Sequence, residues 1–370
     1  MMVKSLRFLV RITILLVGLC SKKNIVSSTS HGGFCDQRSI LNGTWKVRTP
    51  EPFAKCQPIN NCSLTSFGDI EKDAFKKRWE LCTYERCYFR KDESSLARTM
   101  EAMRWEWVPS NCTLQLPRNY TLELPQIFNA HQRRVHFRGD SLQCDWGEVV
   151  QAMAPSLNMT NLRLDRLGLE QLVENPDQNE TQIMEGIVDT WRKSLNPKSL
   201  HLNDIIIINA GAHWTKSPDD IYHYFKMIAQ VMIQLYNHSK PLIVFRTTVM
   251  GHNDCGYYFS PVNNSIDTQK VFATKYQWAN FKAFNNGIIR AFKEILSTFP
   301  YKNNGVRFKV LDVSMFEQRP DGHAGRTSYS NDDCLHYALP AIVYDWTMLL
   351  YHLIMSREES YHTHKHVNID

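Results

Sequence analysis

The chain has almost no net charge once its first thirty residues are set aside. Of 43 Lys and Arg against 37 Asp and Glu, five bases (Lys4, Arg7, Arg11, Lys22 and Lys23) precede position 31, where no acid occurs, leaving 38 bases against 37 acids. A near-neutral body lacks the clustered Lys and Arg that bind nucleic acid, and that class of partner is excluded. There is also no paired CxxC and no HExxH, so no metal site is expected and no cofactor is implied. No apolar run reaches the roughly 20 residues of a spanning helix. Internal repeats and low-complexity tracts are missing too.

What is present begins with a leader. Lys4, Arg7 and Arg11 precede the apolar stretch Ile12 to Cys20, which gives way to Ser, Lys and Asn residues. Residues 1–30 therefore read as a cleaved signal peptide or an uncleaved Golgi-type signal anchor, with a buried N-terminal helix as the remaining alternative. Two features agree with a secretory route, ending in the Golgi lumen or membrane or outside the cell. Eight Asn-x-Ser/Thr triplets start at Asn42, Asn61, Asn111, Asn119, Asn158, Asn179, Asn237 and Asn263, the pattern of a glycoprotein whose acceptor loops lie at the surface. Beyond Cys20 there are nine cysteines: Cys35, Cys56, Cys62, Cys82, Cys87, Cys112, Cys144, Cys255 and Cys334. In an oxidising compartment these read as disulfides, and the odd number leaves one free, buried or intermolecular.

The 370 residues, 43% of them hydrophobic, suffice for a full core. Residues 31–130 are rich in Cys, Trp and Pro without sustained periodicity and read as a loop-heavy, cysteine-rich lobe. From 131 to 355 the pattern changes. Arg134 to Phe137, Asp204 to Ile208, Leu242 to Phe245 and Phe308 to Val313 read as buried strands. Ile221 to Tyr236, Trp278 to Phe299 and Ala341 to Met355 carry apolar residues at helical spacing, with Pro340 in the first turn of the last. Strands alternating with helices predict an α/β fold with a parallel sheet covered on both faces. The polar tail, 356–370, reads as disordered and solvated, although His362, His364 and His366 alternate as metal ligands can.

Chemistry gathers at two short motifs. Gly139-Asp140-Ser141-Leu142 follows the first strand, so Ser141 falls on a tight turn at the carboxyl edge, where open α/β sheets keep their sites. A serine hydroxyl needs a base to take its proton, and the base needs a third group to fix its tautomer. Asp333-Cys334-Leu335-His336 supplies both, a spacing of three setting carboxylate and imidazole on one side of a single turn. Ser141, Asp333 and His336 are thus the candidate nucleophile, orienting acid and base. The Ser141 backbone N–H and the Asn209 side chain are candidate oxyanion donors, while Gly139 and Ala210-Gly211 permit close approach. Asp140 reads as a brace for the turn.

Beyond these motifs the chain resembles the PC-esterase family of trichome-birefringence-like polysaccharide O-acetyltransferases and their relatives. The resemblance rests on Cys35-Asp36 with Gly43-Thr44-Trp45, Trp105-Glu106-Trp107-Val108-Pro109 through Cys112 to Leu116-Pro117, the GDSL turn, Asn209 with His213-Trp214, and Val244-Phe245-Arg246-Thr247 with His252. It closes with Arg319-Pro320-Asp321-Gly322-His323 and Asp333 to Pro340. It implies an SGNH-hydrolase-like three-layer sandwich with a disulfide-rich N-terminal lobe, the triad just named, and disulfides Cys35–Cys112 and Cys255–Cys334. It also implies an acetyl donor and a carbohydrate acceptor as partners. Trp214 becomes a sugar platform or a cleft wall, Arg246 a substrate contact or a structural ion pair. His213, His252 and His323 become loop braces or substrate contacts. The chain departs from the family at Asn209 to Trp214, one residue longer than the usual Asn-Thr-Gly-His-Trp, at Gln143-Cys144-Asp145-Trp146, and at Ala338 in place of a cysteine. The expected activity is ping-pong O-acyl transfer through an acyl-Ser141. A carbohydrate esterase and an inactive glycan-binding protein are the alternatives.

Overall fold

In a computed structural model, the described residues are 33–48, 101–154, 156–164, 179–262, 277–298, 305–325, 333–338 and 341–365. The leader, Cys56, Cys62, Cys82, Cys87, Asn61, Asn263 and Pro340 lie outside them.

Five strands form one parallel sheet: β3 (Val135–Gly139), β4 (Met159–Arg163), β5 (Ile205–Ile208), β6 (Leu242–Arg246) and β7 (Arg307–Leu311), following an N-terminal pair, β1 (Gly43–Val47) and β2 (Trp105–Pro109). Their order is β4-β3-β5-β6-β7, and every pairing is parallel. Alternate residues of each strand feed two cores. Ile206, Ile208, Ile243 and Phe245 pack on one side with α3 (Glu180–Ser194), α4 (Pro218–Tyr236) and α5 (Phe281–Ser297). Ile205, Ile207, Leu242 and Val244 pack on the other with α1 (Tyr120–Phe128), α2 (Ser141–Met153) and α6 (Ala341–Lys365). This is the expected three-layer α/β sandwich.

The chain leaves β3 toward β4 on one side and returns past β3 to β5 on the other. The order of the sheet therefore reverses at β3, and the crevice beyond the carboxyl ends of β3 and β5 is the switch point at which such sheets take ligands. Helix starts are encoded locally. Ser217 caps α4 reciprocally with Asp220, with Pro218 in the first turn, and Asn179 does the same with Gln182 for α3.

The described residues between 33 and 130 share the second core. Antiparallel β1 and β2 place Trp45 edge-on to Trp107 and Phe316, and the Trp107 indole donates to the Ile40 carbonyl oxygen. Arg48 pairs with Asp345 on α6, and His352 accepts from Gln115 N and donates to Cys35 O. Cys35–Cys112 and Cys255–Cys334 are both present, as the resemblance implied. Cys144 is disulfide-bonded too, and no cysteine among the described residues is free. Asn42, Asn111, Asn158, Asn179 and Asn237 are exposed, as glycan acceptors must be.

Two expectations fail. Helix α6 runs on to Lys365, so the segment after Met355 begins as helix rather than as a disordered tail. Asp333 and His336 lie not in a turn but on a short strand, β9 (Asp333–Tyr337), paired antiparallel with β8 (His323–Gly325) across an irregularity. No helix among the described residues is long and apolar enough to cross a membrane.

Candidate active site

Ser141 is the first residue of α2. Asp140 caps that helix from an extended backbone, its Oδ1 accepting from Leu142 N at 2.9 Å and Gln143 N at 3.2 Å. The cap satisfies donors that the helix start leaves open and holds the turn, so Asp140 braces as expected. Gly139 is required by space: a Cβ there would lie 2.6 Å from the Asn209 carbonyl oxygen and 2.9 Å from Gln143 Cβ. The positive end of the α2 dipole and the Ser141 N–H lie at the nucleophile itself.

The structure brings Ser141 and His336 together although they are 195 positions apart, with Oγ 2.8 Å from Nε2. On the other side of the ring, Nδ1 lies 3.0 Å from each Asp333 oxygen. A carboxylate only accepts, so Nδ1 carries the proton and Nε2 is left as acceptor for the serine O–H. Residues three apart on a strand normally point to opposite faces. Asp333 overcomes this by folding back, its Oδ1 also accepting from His336 N at 3.1 Å. The local device is thus an aspartate capping its own strand, a use of Asp that the spacing alone did not reveal. Ser141 is 2% exposed and His336 9%.

The other candidate residues are buried braces. Asn209 Nδ2 donates to Thr248 Oγ1 at 2.6 Å and to Arg246 O at 3.3 Å. Thr248 Oγ1 in turn donates to Ala210 O at 2.7 Å, so it must accept from Asn209, which fixes the amide's orientation. Both bonds run to the end of β6, and the Asn209 amide is committed there instead of to an oxyanion. Of the expected donors this leaves the Ser141 N–H. Trp214 is 2% exposed, stacks on Tyr224 and donates to Ser217 O at 3.0 Å, bracing the start of α4 as a wall residue does.

Arg246 forms no hydrogen-bonded ion pair among the described residues. It lies fully buried over Trp346 at 4.3 Å and Trp146 at 5.9 Å, donating to Gln143 Oε1 and Thr247 O. Burial pushes its pKa down to about 10, opposed by the field of Asp140. Nothing in the sequence marked Thr248 or Gln143 as the partners of these side chains. His252 and His323 do brace a loop, in series behind β9: His252 Nε2 meets Glu317 O, His252 Nδ1 meets His323 Nε2, and His323 Nδ1 meets His336 O.

A hydroxyl, an imidazole and a carboxylate in relay, at a helix N-terminus over a switch point, are equipped for acyl transfer through a serine ester. The described residues hold no cluster of His, Cys, Asp and Glu suited to a metal ion.

Comparison with known proteins agrees with this chemistry. Residues 217–353 match the sequence model of PC-Esterase, a GDSL/SGNH-like acyl-esterase family found in Pmr5 and Cas1p. The matched stretch contains Asp333 and His336 and begins after Ser141. Protein trichome birefringence-like 26 of Arabidopsis thaliana is 25% identical over 218 residues, covering 53% of this chain and 47% of the relative. The chain therefore matches about half the length of that relative.

Proposed function

We propose that this chain, similar to PC-esterases from residue 217 to 353, is a serine-dependent O-acyltransferase of the secretory pathway that moves an acetyl group onto a carbohydrate hydroxyl. The observation that carries the reading is the unbroken relay from Ser141 Oγ through His336 to Asp333. Ser141 Oγ attacks the donor's acyl carbon while its proton passes to His336 Nε2, and Asp333 stabilises the resulting imidazolium. The negative charge on the tetrahedral oxygen is met by the Ser141 N–H and the α2 dipole. Collapse breaks the bond to the leaving group, which takes the proton from His336. The acceptor hydroxyl then gives its proton to His336, attacks the acyl-serine, and Ser141 Oγ leaves with that proton.

Water could serve as acceptor by the same steps. Transfer over hydrolysis requires that the protein position an acceptor hydroxyl and exclude water, and that choice rests on the resemblance. Acetyl as the group and carbohydrate as the acceptor rest on the resemblance. The disulfides and the exposed Asn-x-Ser/Thr sites support an oxidising, glycosylating compartment.

The test is intact-mass and peptide mass spectrometry after incubation with an activated acetyl donor, with and without an oligosaccharide, using Ser141→Ala as control. Acetyl that appears on Ser141 and moves to sugar is the expected result. Loss to water regardless of acceptor makes the protein an esterase. Absence of any Ser141-dependent acetylation across several donors overturns the enzymatic reading.

A further inference from the structure

Behind the strand that presents His336, two buried histidines connect two backbone carbonyls. His252 Nε2 is 2.7 Å from Glu317 O, His252 Nδ1 is 2.6 Å from His323 Nε2, and His323 Nδ1 is 3.2 Å from the carbonyl oxygen of His336 itself. Both rings are sealed from solvent. A carbonyl oxygen only accepts, so the nitrogen at each end of this chain must carry a proton, and the N···N contact between the rings needs another. Two neutral imidazoles bring two N–H groups, one fewer than the three contacts require. We infer that His252 and His323 together hold three protons and one positive charge, and that the pair positions His336 through the proton on His323 Nδ1.

The surroundings distribute that charge. Burial lowers the pKa of His252, which suits it to be the neutral member that donates through Nε2 and accepts through Nδ1. His323 is then the imidazolium. The Tyr337 ring lies parallel to it with centroids 4.5 Å apart, and an aromatic face stabilises a cation. Asp321 favours protonation of His252 through space, although its carboxylate is also held by Arg319 at 2.8 and 2.9 Å. The other charged or titratable groups around Tyr337 are Arg246 and Glu317, the Glu317 carboxyl pushed up to about 7 by burial. Asp333 opens the strand and is bonded to the His336 ring.

The sign of the pH effect follows. The third proton is in place below the pair's pKa and is lost as pH rises through it. Above that point one end nitrogen of the chain is bare before a carbonyl oxygen, and in the form in which it is His323 Nδ1 the tie to His336 is gone. A triad alone gains activity with pH as its base becomes neutral and then levels off. The pair adds a fall on the alkaline side.

The importance of the pair for turnover rests on His336 as the base, but the proton count does not, and the experiment separates them. Ring-nitrogen NMR of the full chain labelled with 15N-histidine, assigned with His252→Gln, should show both His323 nitrogens and one His252 nitrogen protonated at neutral pH. A pair with only two N–H groups at pH 6 overturns the inference. In parallel, the rate at which a fluorophosphonate labels Ser141 is measured across pH. His323→Phe keeps the stack on Tyr337 but has no N–H, and should label roughly ten-fold or more slowly at neutral pH and lose the alkaline fall. His252→Gln retains one acceptor and one donor and should stay within about three-fold of wild type. Wild-type labelling by His323→Phe at every pH overturns the positioning role. If wild type itself fails to label, the acyl-enzyme reading fails while the NMR proton count still decides the pair.

Discussion

Ser141 and His336 meet at hydrogen-bond distance but are delivered by unlike structures. Ser141 follows a fully buried strand that has parallel partners on both sides and begins a 13-residue helix locked by Trp146 under Phe137. Its position is a property of the main core. His336 stands on a short ribbon outside the sheet, held by Cys255–Cys334, by His252 N donating to Cys334 O, by Ala338 N donating to Gly322 O, and by the histidine pair. Gly251 is packed so closely against Cys334 O and the Trp278 ring that no side chain fits there. A nucleophile placed by many small apolar contacts tolerates single losses, because each contributes little. A base placed by a few polar and covalent ties is lost with any one of them.

The largest test of the pairing is Asp333→Asn, which replaces a carboxylate oxygen beside His336 Nδ1 with an NH2 donor, removes the charge and favours the wrong imidazole tautomer, and should lower the acylation rate by about 10⁴ with little change in melting temperature. A loss no larger than about ten-fold, by the same mass-spectrometric assay, would break the relay as described. Next comes Cys255→Ser with Cys334→Ser. The bond closes a separation of 79 residues, and its removal should lower stability by about 2–4 kcal/mol in denaturant titration. It should also slow acylation roughly ten-fold or more, because the ribbon carrying the base is freed. Asp140→Ala probes the other half. Losing the bonds to Leu142 N and Gln143 N should lower stability by about 1 kcal/mol. The core still holds Ser141, so the rate should fall less than in the disulfide variant. The reverse order would show that the nucleophile, not the base, is the weakly held partner.

The same contrast explains what the sequence made legible. Strands β3, β5 and β6 are buried at every position because the sheet is covered on both faces, and β7, at one edge, shows itself through Phe308, Val310 and Leu311. β4 was not legible: Met159-Thr160-Asn161-Leu162-Arg163 lies at the sheet's edge with one strand partner, and no continuous apolar run is demanded of it. Asn179 and Gln182 did write a capping box for α3 into the sequence, a signal left unread. At the site, Ser141 could be placed from a motif because strand, glycine and serine are adjacent in the chain. The geometry of Asp333 could not, since a spacing of three means one thing in a turn and another on a strand. The surroundings of Asn209 and Arg246 were not legible because side-chain partners such as Thr248 and Gln143 are distant in sequence, and only the fold brings them near.

Trp214 offers the smallest and sharpest of these tests. An aromatic beside a sugar-binding cleft would lose substrate affinity on replacement, and KM would rise. Here the indole N–H is bonded to Ser217 O and the ring is stacked on Tyr224, so the side chain's work is to fix the start of α4. Trp214→Phe keeps an aromatic face, loses one hydrogen bond and leaves some space. It should destabilise the fold by about 1–2 kcal/mol in denaturant titration while KM for the acceptor stays within about two-fold. A rise in KM of ten-fold without loss of stability would put Trp214 in contact with the acceptor, and the wall of the cleft would then have to open when substrate binds.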